Sequence, residues 1–153
     1  MKNAIRIVAA VVVLLIASRS YSQAPRPPFP LKLSVSPTSA TTGSKFTMEV
    51  DFTNNSHEQL IMQICVQLDA YCEFGIHVRD SQGNSLPGPK PQTTLESAVL
   101  GIMPGETKKF YSDLSNLFDL NRPDRYEIQV EWLDADTKQT LRSNVSHIIV
   151  SAP

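Results

Sequence analysis

In Lys45-Phe46-Thr47-Met48-Glu49-Val50-Asp51-Phe52 apolar and polar side chains change places at every residue. A period of two puts Phe46, Met48, Val50 and Phe52 on one face of an extended chain and the polar set on the other. A helix would scatter both sets around its circumference, so this segment reads as a strand with one buried face. The same alternation recurs on either side. Leu31, Leu33 and Val35 alternate with Lys32, Ser34 and Ser36, while Leu60, Met62, Ile64 and Val66 form a third set. Phe74, Ile76 and Val78 alternate with Gly75, His77 and Arg79, and Tyr126, Ile128, Val130 and Trp132 with Glu127, Gln129 and Glu131. Ser146 to Ser151 is apolar enough for a last strand whose inward face the pattern leaves open.

Turn chemistry separates these runs. Thr42-Gly43, Asn54-Asn55-Ser56, Ser81-Gln82-Gly83-Asn84, Pro104-Gly105 and Asp134-Ala135-Asp136 each fall between periodic segments. No helical period is sustained, and Leu114 to Phe118 holds one turn at most. Seven to eight short antiparallel strands without helices predict an all-β sandwich or barrel. Tyr126 favours the sandwich, because it opens the penultimate strand just after a proline turn, the place of a tyrosine corner.

The amino terminus reads as a signal peptide over residues 1–22. Lys2 and Arg6 precede the apolar run Ile7 to Ala17, and Ser20 and Ser22 are small enough for cleavage after Ser22. The run is short of the ~20 apolar residues a membrane span needs. Residues 23–30, with Pro25, Pro27, Pro28 and Pro30, then form an extended arm, and residues 31–153 form one domain. Hydrophobic residues at 41% and charged residues at 19% suit an ordinary globular domain rather than a disordered chain. The formal charge is −1, and residues 1–22 hold three cations and no acid, so cleavage leaves −4. That mild acidity argues against nucleic acid as a partner. Cys65 and Cys72 form a candidate disulfide in an oxidising compartment, or two free thiols; a metal would need further ligands nearby.

Several stretches together resemble secreted bacterial immunoglobulin-like domains: Phe29 to Val35, Asp51 to Ser56, Phe74 to Gly83, Pro104 to Thr107, and Leu117 to Leu120 running into Pro123-Asp124-Arg125-Tyr126. The resemblance covers the whole domain, and the pattern is also similar to bacterial proteinase-inhibitor and cell-adhesion modules. It implies an immunoglobulin-like antiparallel β-sandwich and leaves activity open. Such domains read Pro-Gly-x-Tyr at the last motif, with the glycine in a left-handed turn. Asp124 stands in that place here, as a residue that visits the conformation more easily than most.

The residues that could carry chemistry have plainer readings. His57 lies in a polar turn, His77 on a polar strand face and His147 in the last strand, and no Gly-x-Ser-x-Gly elbow presents a serine. Met48 and Met62 read as core rather than copper ligands. Asp134 and Asp136 begin like a calcium loop, but Lys138 takes the next ligand position, so a hairpin turn is expected. Trp132 falls on the apolar face, as core. The insertion Asn84 to Thr94 is the candidate binding loop, with Pro87, Lys90 and Pro91. The expectation is a non-enzymatic module without cofactor, exported to the periplasm or beyond, binding another protein or an envelope component. The alternative is an inhibitor of exported proteinases that offers Lys90 before Pro91 as bait.

Overall fold

The alternation in Thr47–Thr53 is met by strands on both sides. This strand, β3, lies antiparallel between β1 (Leu31–Ser36) and β7 (Thr107–Asp113), with Leu33 opposite Val50 and Val50 opposite Phe110. The structure is a computed structural model that describes residues 29–65, 74–88 and 97–153, apart from the side chains of Cys65 and Ser97. The expected signal peptide, most of the expected arm, Cys72, Lys90 and Pro91 lie outside these residues, as does the pairing expected of Cys65.

A second sheet is organised on the longest strand, β8 (Asp124–Leu133). One side of β8 pairs antiparallel with β5 (Phe74–Arg79). Its other side pairs with β10 (Ser146–Ser151) and then β9 (Thr140–Arg142). The short β2 (Ser39–Thr41) completes this sheet by running parallel to β10, so the pairing is not antiparallel throughout. β4 (Leu60–Cys65) and β6 (Ser97–Ile102) make a separate antiparallel ribbon, with Met62 opposite Leu100. One helical turn, α1 (Leu114–Leu117), follows β7, and the Asp113 carboxylate caps it by accepting from Ser115 N at 3.0 Å. Strand takes 55% of the described residues and helix 4%, so the fold is mostly β, in open sheets that do not close into a barrel. Ten strands stand among the described residues where the sequence pattern predicts seven to eight. Among those the pattern does not show, β2 and β9 have three residues each, too few for a period of two to register. No helix among the described residues is long and apolar enough to cross a membrane.

The inward faces of all three sheets meet in one apolar cluster. Met48, Val50, Phe52, Ile102, Ile128, Val130 and Ile148 are each 0% exposed. Full burial of such side chains is worth roughly 1.5–3 kcal/mol apiece, the main force closing the layers. Phe29 packs against this cluster. Its ring stacks on Phe52 at 5.9 Å and meets the edge of Trp132 at 5.6 Å, while Pro30 O accepts from Thr53 N at 3.2 Å.

Asn54 fastens the end of β3. Its amide is fully buried and fully bonded: Nδ2 donates to Glu58 O at 2.8 Å and Ile102 O at 2.9 Å, and Oδ1 accepts from Ser56 N at 2.9 Å and Ser56 Oγ at 2.7 Å. Asn54 N and O also bond Glu106 O and Gly105 N, so the start of β7 is tied to the end of β3. Gly105 turns there at φ 78°, which glycine adopts without a Cβ penalty.

Candidate functional site

A bowl of about 510 Å³ lies between the loop that leaves β5 and the segment that enters β8. One wall is Asp80 to Pro87. Its shape comes from Asp80, whose Oδ1 accepts from Gln82 N at 3.0 Å and Asn84 N at 2.8 Å and whose Oδ2 accepts from Asn84 Nδ2 at 2.9 Å. Gly83, at φ 84°, lets the chain reverse. Leu86 N then returns to Val78 O at 2.8 Å, which sets Pro87 on the rim.

The other wall is Asp119 to Tyr126. Asp119 Oδ1 accepts from Asn121 N at 3.2 Å and Nδ2 at 3.0 Å, and Tyr126 Oη donates to Arg122 O at 2.9 Å. The tyrosine is 2% exposed, and burial followed by the nearby Asp124 charge raises its pKa, so the hydroxyl stays a donor. Asp124 begins β8 in extended conformation, and Lys138 is the non-glycine residue with positive φ among the described ones. The left-handed turn expected at Asp124 is therefore absent. Aspartate fits because its carboxylate accepts from Arg125 N at 2.7 Å.

Three carboxylates, Asp80, Asp119 and Asp124, thus share the bowl with one guanidinium, Arg122. The Asn84 amide holds Asp80 below the usual carboxylate range, and a bond from Ser81 does the same for Asp124. Both are ionised at neutral pH, so the bowl is a negative, hydrogen-bonding surface with one positive point.

A smaller groove of about 230 Å³ runs over the outer face of β5, β8 and β9. Here Glu131 Oε1 lies 3.0 Å from His77 Nε2, and its Oε2 lies 3.4 Å from Arg142 Nε. The hydrogen bond from His77, with help from Arg142, lowers the Glu131 pKa. Gly75, directly across from Glu131, makes the room: a Cβ there would stand 2.9 Å from Glu131 Cγ. His147 Nδ1 lies 3.7 Å from Glu127 Oε1 on the same face. His77 and His147 therefore each face a glutamate on an open sheet surface.

Two residues singled out in the sequence, Pro87 and Tyr126, come together in the bowl. Met48, Met62 and Trp132 are core. Asp134 closes the β8–β9 hairpin: burial opposes its ionisation, but Thr137 Oγ1 at 2.6 Å and Asp136 N at 3.0 Å outweigh that and lower its pKa. No group of three His, Cys, Asp or Glu among the described residues is placed to hold a metal ion. Sequence reasoning missed Asp80, Asp119 and Arg122, because each looks like an ordinary turn residue until two distant loops meet. No protein-family model matches the chain, and no curated protein is significantly similar to it.

Proposed function

We propose that the chain is an exported, immunoglobulin-like β-sandwich that serves as a non-catalytic binding module of the cell envelope and engages its partner through the bowl between the β5 and β8 loops. The observation that carries this is the convergence of Asp80, Asp119, Arg122 and Asp124 around about 510 Å³ at one end of a rigid sheet. Loops held by their own hydrogen bonds present charge without an ordering cost at binding. Asp80 and Asp119 already cap turns and Asp124 already accepts from Arg125 N, uses that suit recognition better than proton transfer.

The sandwich reading is supported by two apolar sheet faces sharing one core, by β2 lying parallel to β10, and by the Tyr126 hydroxyl closing back on Arg122 in the manner of a tyrosine corner. Export is supported by Lys2, Arg6, the apolar run Ile7 to Ala17 and the small Ser20 and Ser22. The partner would carry positive charge toward the three aspartates.

The test is photocross-linking in cells, with a benzophenone side chain at Gln82 on the bowl wall and at Ser34 on the outer face of β1. A partner captured from Gln82 and lost in Asp80→Asn/Asp124→Asn supports the reading. Equal capture from both positions, or none, removes it. If the purified protein instead protects casein from proteinases and Lys90→Ala abolishes the protection, the inhibitor reading replaces it.

A further inference from the structure

The bowl does not end at its own rim. Asp80 also lines a second hollow of about 270 Å³, which it shares with Arg125 and Glu127. Glu127 in turn lines the groove of about 230 Å³ on the outer face of β5, β8 and β9. Shared walls make the three hollows one trough. It follows β8 from Asp124 to Glu131, roughly 23 Å at the rise of a strand. β8 is paired on both sides, so an occupant lies over its side chains and does not add a strand to it.

The two ends of the trough differ in charge. At the bowl, Asp80, Asp119 and Asp124 outnumber Arg122. At the far end the acids are already answered: Glu131 by His77 at 3.0 Å and Arg142 at 3.4 Å, and Glu127 by His147 at 3.7 Å. Arg79 lines the groove with no ion pair among the described residues, and Arg142 meets Glu131 through Nε, which leaves its two terminal nitrogens to donate elsewhere. We infer that the trough takes an extended peptide segment of about seven residues, with a basic side chain in the bowl and an acidic one between Arg79 and Arg142.

The pairing of opposite signs selects that occupant. A nucleic acid or an acidic polysaccharide carries one sign along its length and would be repelled by the three aspartates. A polycation would meet Arg79 and Arg142. A peptide sets both signs at a fixed spacing, and its carboxylates match the forked guanidinium. Its backbone also has a partner midway. Gln129 Nε2 is held by Ser143 O at 3.0 Å, which leaves Oε1 to accept a peptide N–H. The inference rests on the bowl as the contact site, and adds to it a second anchor and the length of what is bound.

An amide NMR titration at low salt with end-blocked synthetic peptides tests it. Lys-Lys-Ser-Ala-Ser-Glu-Glu and its reverse carry both signs, and Lys-Lys-Ser-Ala-Ser-Ser-Ser carries the basic end alone. One of the two-signed peptides should shift Gln82 and Gln129 together and bind about fivefold tighter than the basic one, the gain expected of two exposed pairs. The basic peptide should shift Gln82 alone. Arg79→Gln/Arg142→Gln, at two exposed positions, should abolish the fivefold gain and leave the basic peptide unaffected. Asp80→Asn/Asp124→Asn should weaken all three. Should Gln82 respond while Gln129 stays still with both two-signed peptides, or the gain survive the double arginine variant, the trough inference falls and the bowl stands. Should no peptide shift Gln82, both fall.

Discussion

The side-chain amide of Asn144 pairs with the backbone of Leu33 as a strand would, accepting at Oδ1 from Leu33 N at 2.9 Å and donating from Nδ2 to Leu33 O at 3.0 Å. Asn144 can reach because Ser143 breaks the strand between β9 and β10: Ser143 N bonds Val130 O at 2.8 Å, and Val130 N bonds Ser143 Oγ at 3.0 Å. The freed residue turns toward β1 and joins the two larger sheets. Asn144→Ala leaves the partly buried Leu33 N without its acceptor, while Ser146 Oγ still reaches Leu33 O at 3.3 Å, and should cost about 1–3 kcal/mol in urea unfolding. Asn144→Asp should cost a similar amount, since a carboxylate oxygen then faces Leu33 O. An unchanged midpoint in both would mean that water replaces the amide.

Gly75→Ala probes the close approach across β5 and β8. The added methyl meets Glu131 Cγ at 2.9 Å and must push that side chain off His77. Glu131 is on the open face and can move, so the cost should be at the low end of overpacking, about 1 kcal/mol. The sharper readout is the Glu131 carboxyl in a carbon-detected NMR titration, which should move up toward its ordinary value of 4.5 as the His77 bond is lost. A titration identical to that of the unmodified protein would show that Glu131 keeps its place.

The strands were legible where burial is one-sided and long enough to repeat. Phe46 to Phe52 and Tyr126 to Trp132 announce their inward faces because each second residue must be apolar. Ile148-Ile149-Val150 do not, as three apolar residues in a row give no parity; the register with Tyr126 settles it, burying Ile148 and leaving Ile149 51% exposed. The bowl was hardly legible. Asp80 and Asp119 each signal a turn, and only the pairing of β5 with β8 brings those turns to one end. The Asn144–Leu33 link spans 111 positions in the chain and leaves no local pattern.

Tyr126→Phe removes one hydroxyl from a ring that is otherwise core. The ring keeps its packing, so the change isolates the bond to Arg122 O and should cost about 1 kcal/mol. The loop entering β8 should also loosen, seen as faster amide exchange at Arg122 and Asp124 than at Ile128. Equal stability and unchanged exchange would show that the hydroxyl holds nothing in place.

The acid limb of stability should report the bowl. Asp80 has its pKa lowered, first by the Asn84 side chain and then by the Asn84 and Gln82 N–H groups, and Asp124 by Ser81 and Arg125 N. A carboxyl with a depressed folded pKa binds its proton more readily in the unfolded chain, so the unfolded state gains as pH falls. The stabilisation is complete above the ordinary value of 3.8 and fades as pH drops through the lower folded values. Stability from these two groups should be flat near neutrality and decline in acid. Asp80→Asn should lower the urea midpoint at pH 7 and flatten the acid decline, because the amide no longer takes up a proton there. High salt should change little, since short hydrogen bonds, not long-range attraction, hold these carboxylates. An acid decline as steep in Asp80→Asn as in the unmodified protein would place the responsible groups elsewhere, Glu131 and Asp134 being the next to test by the same substitution.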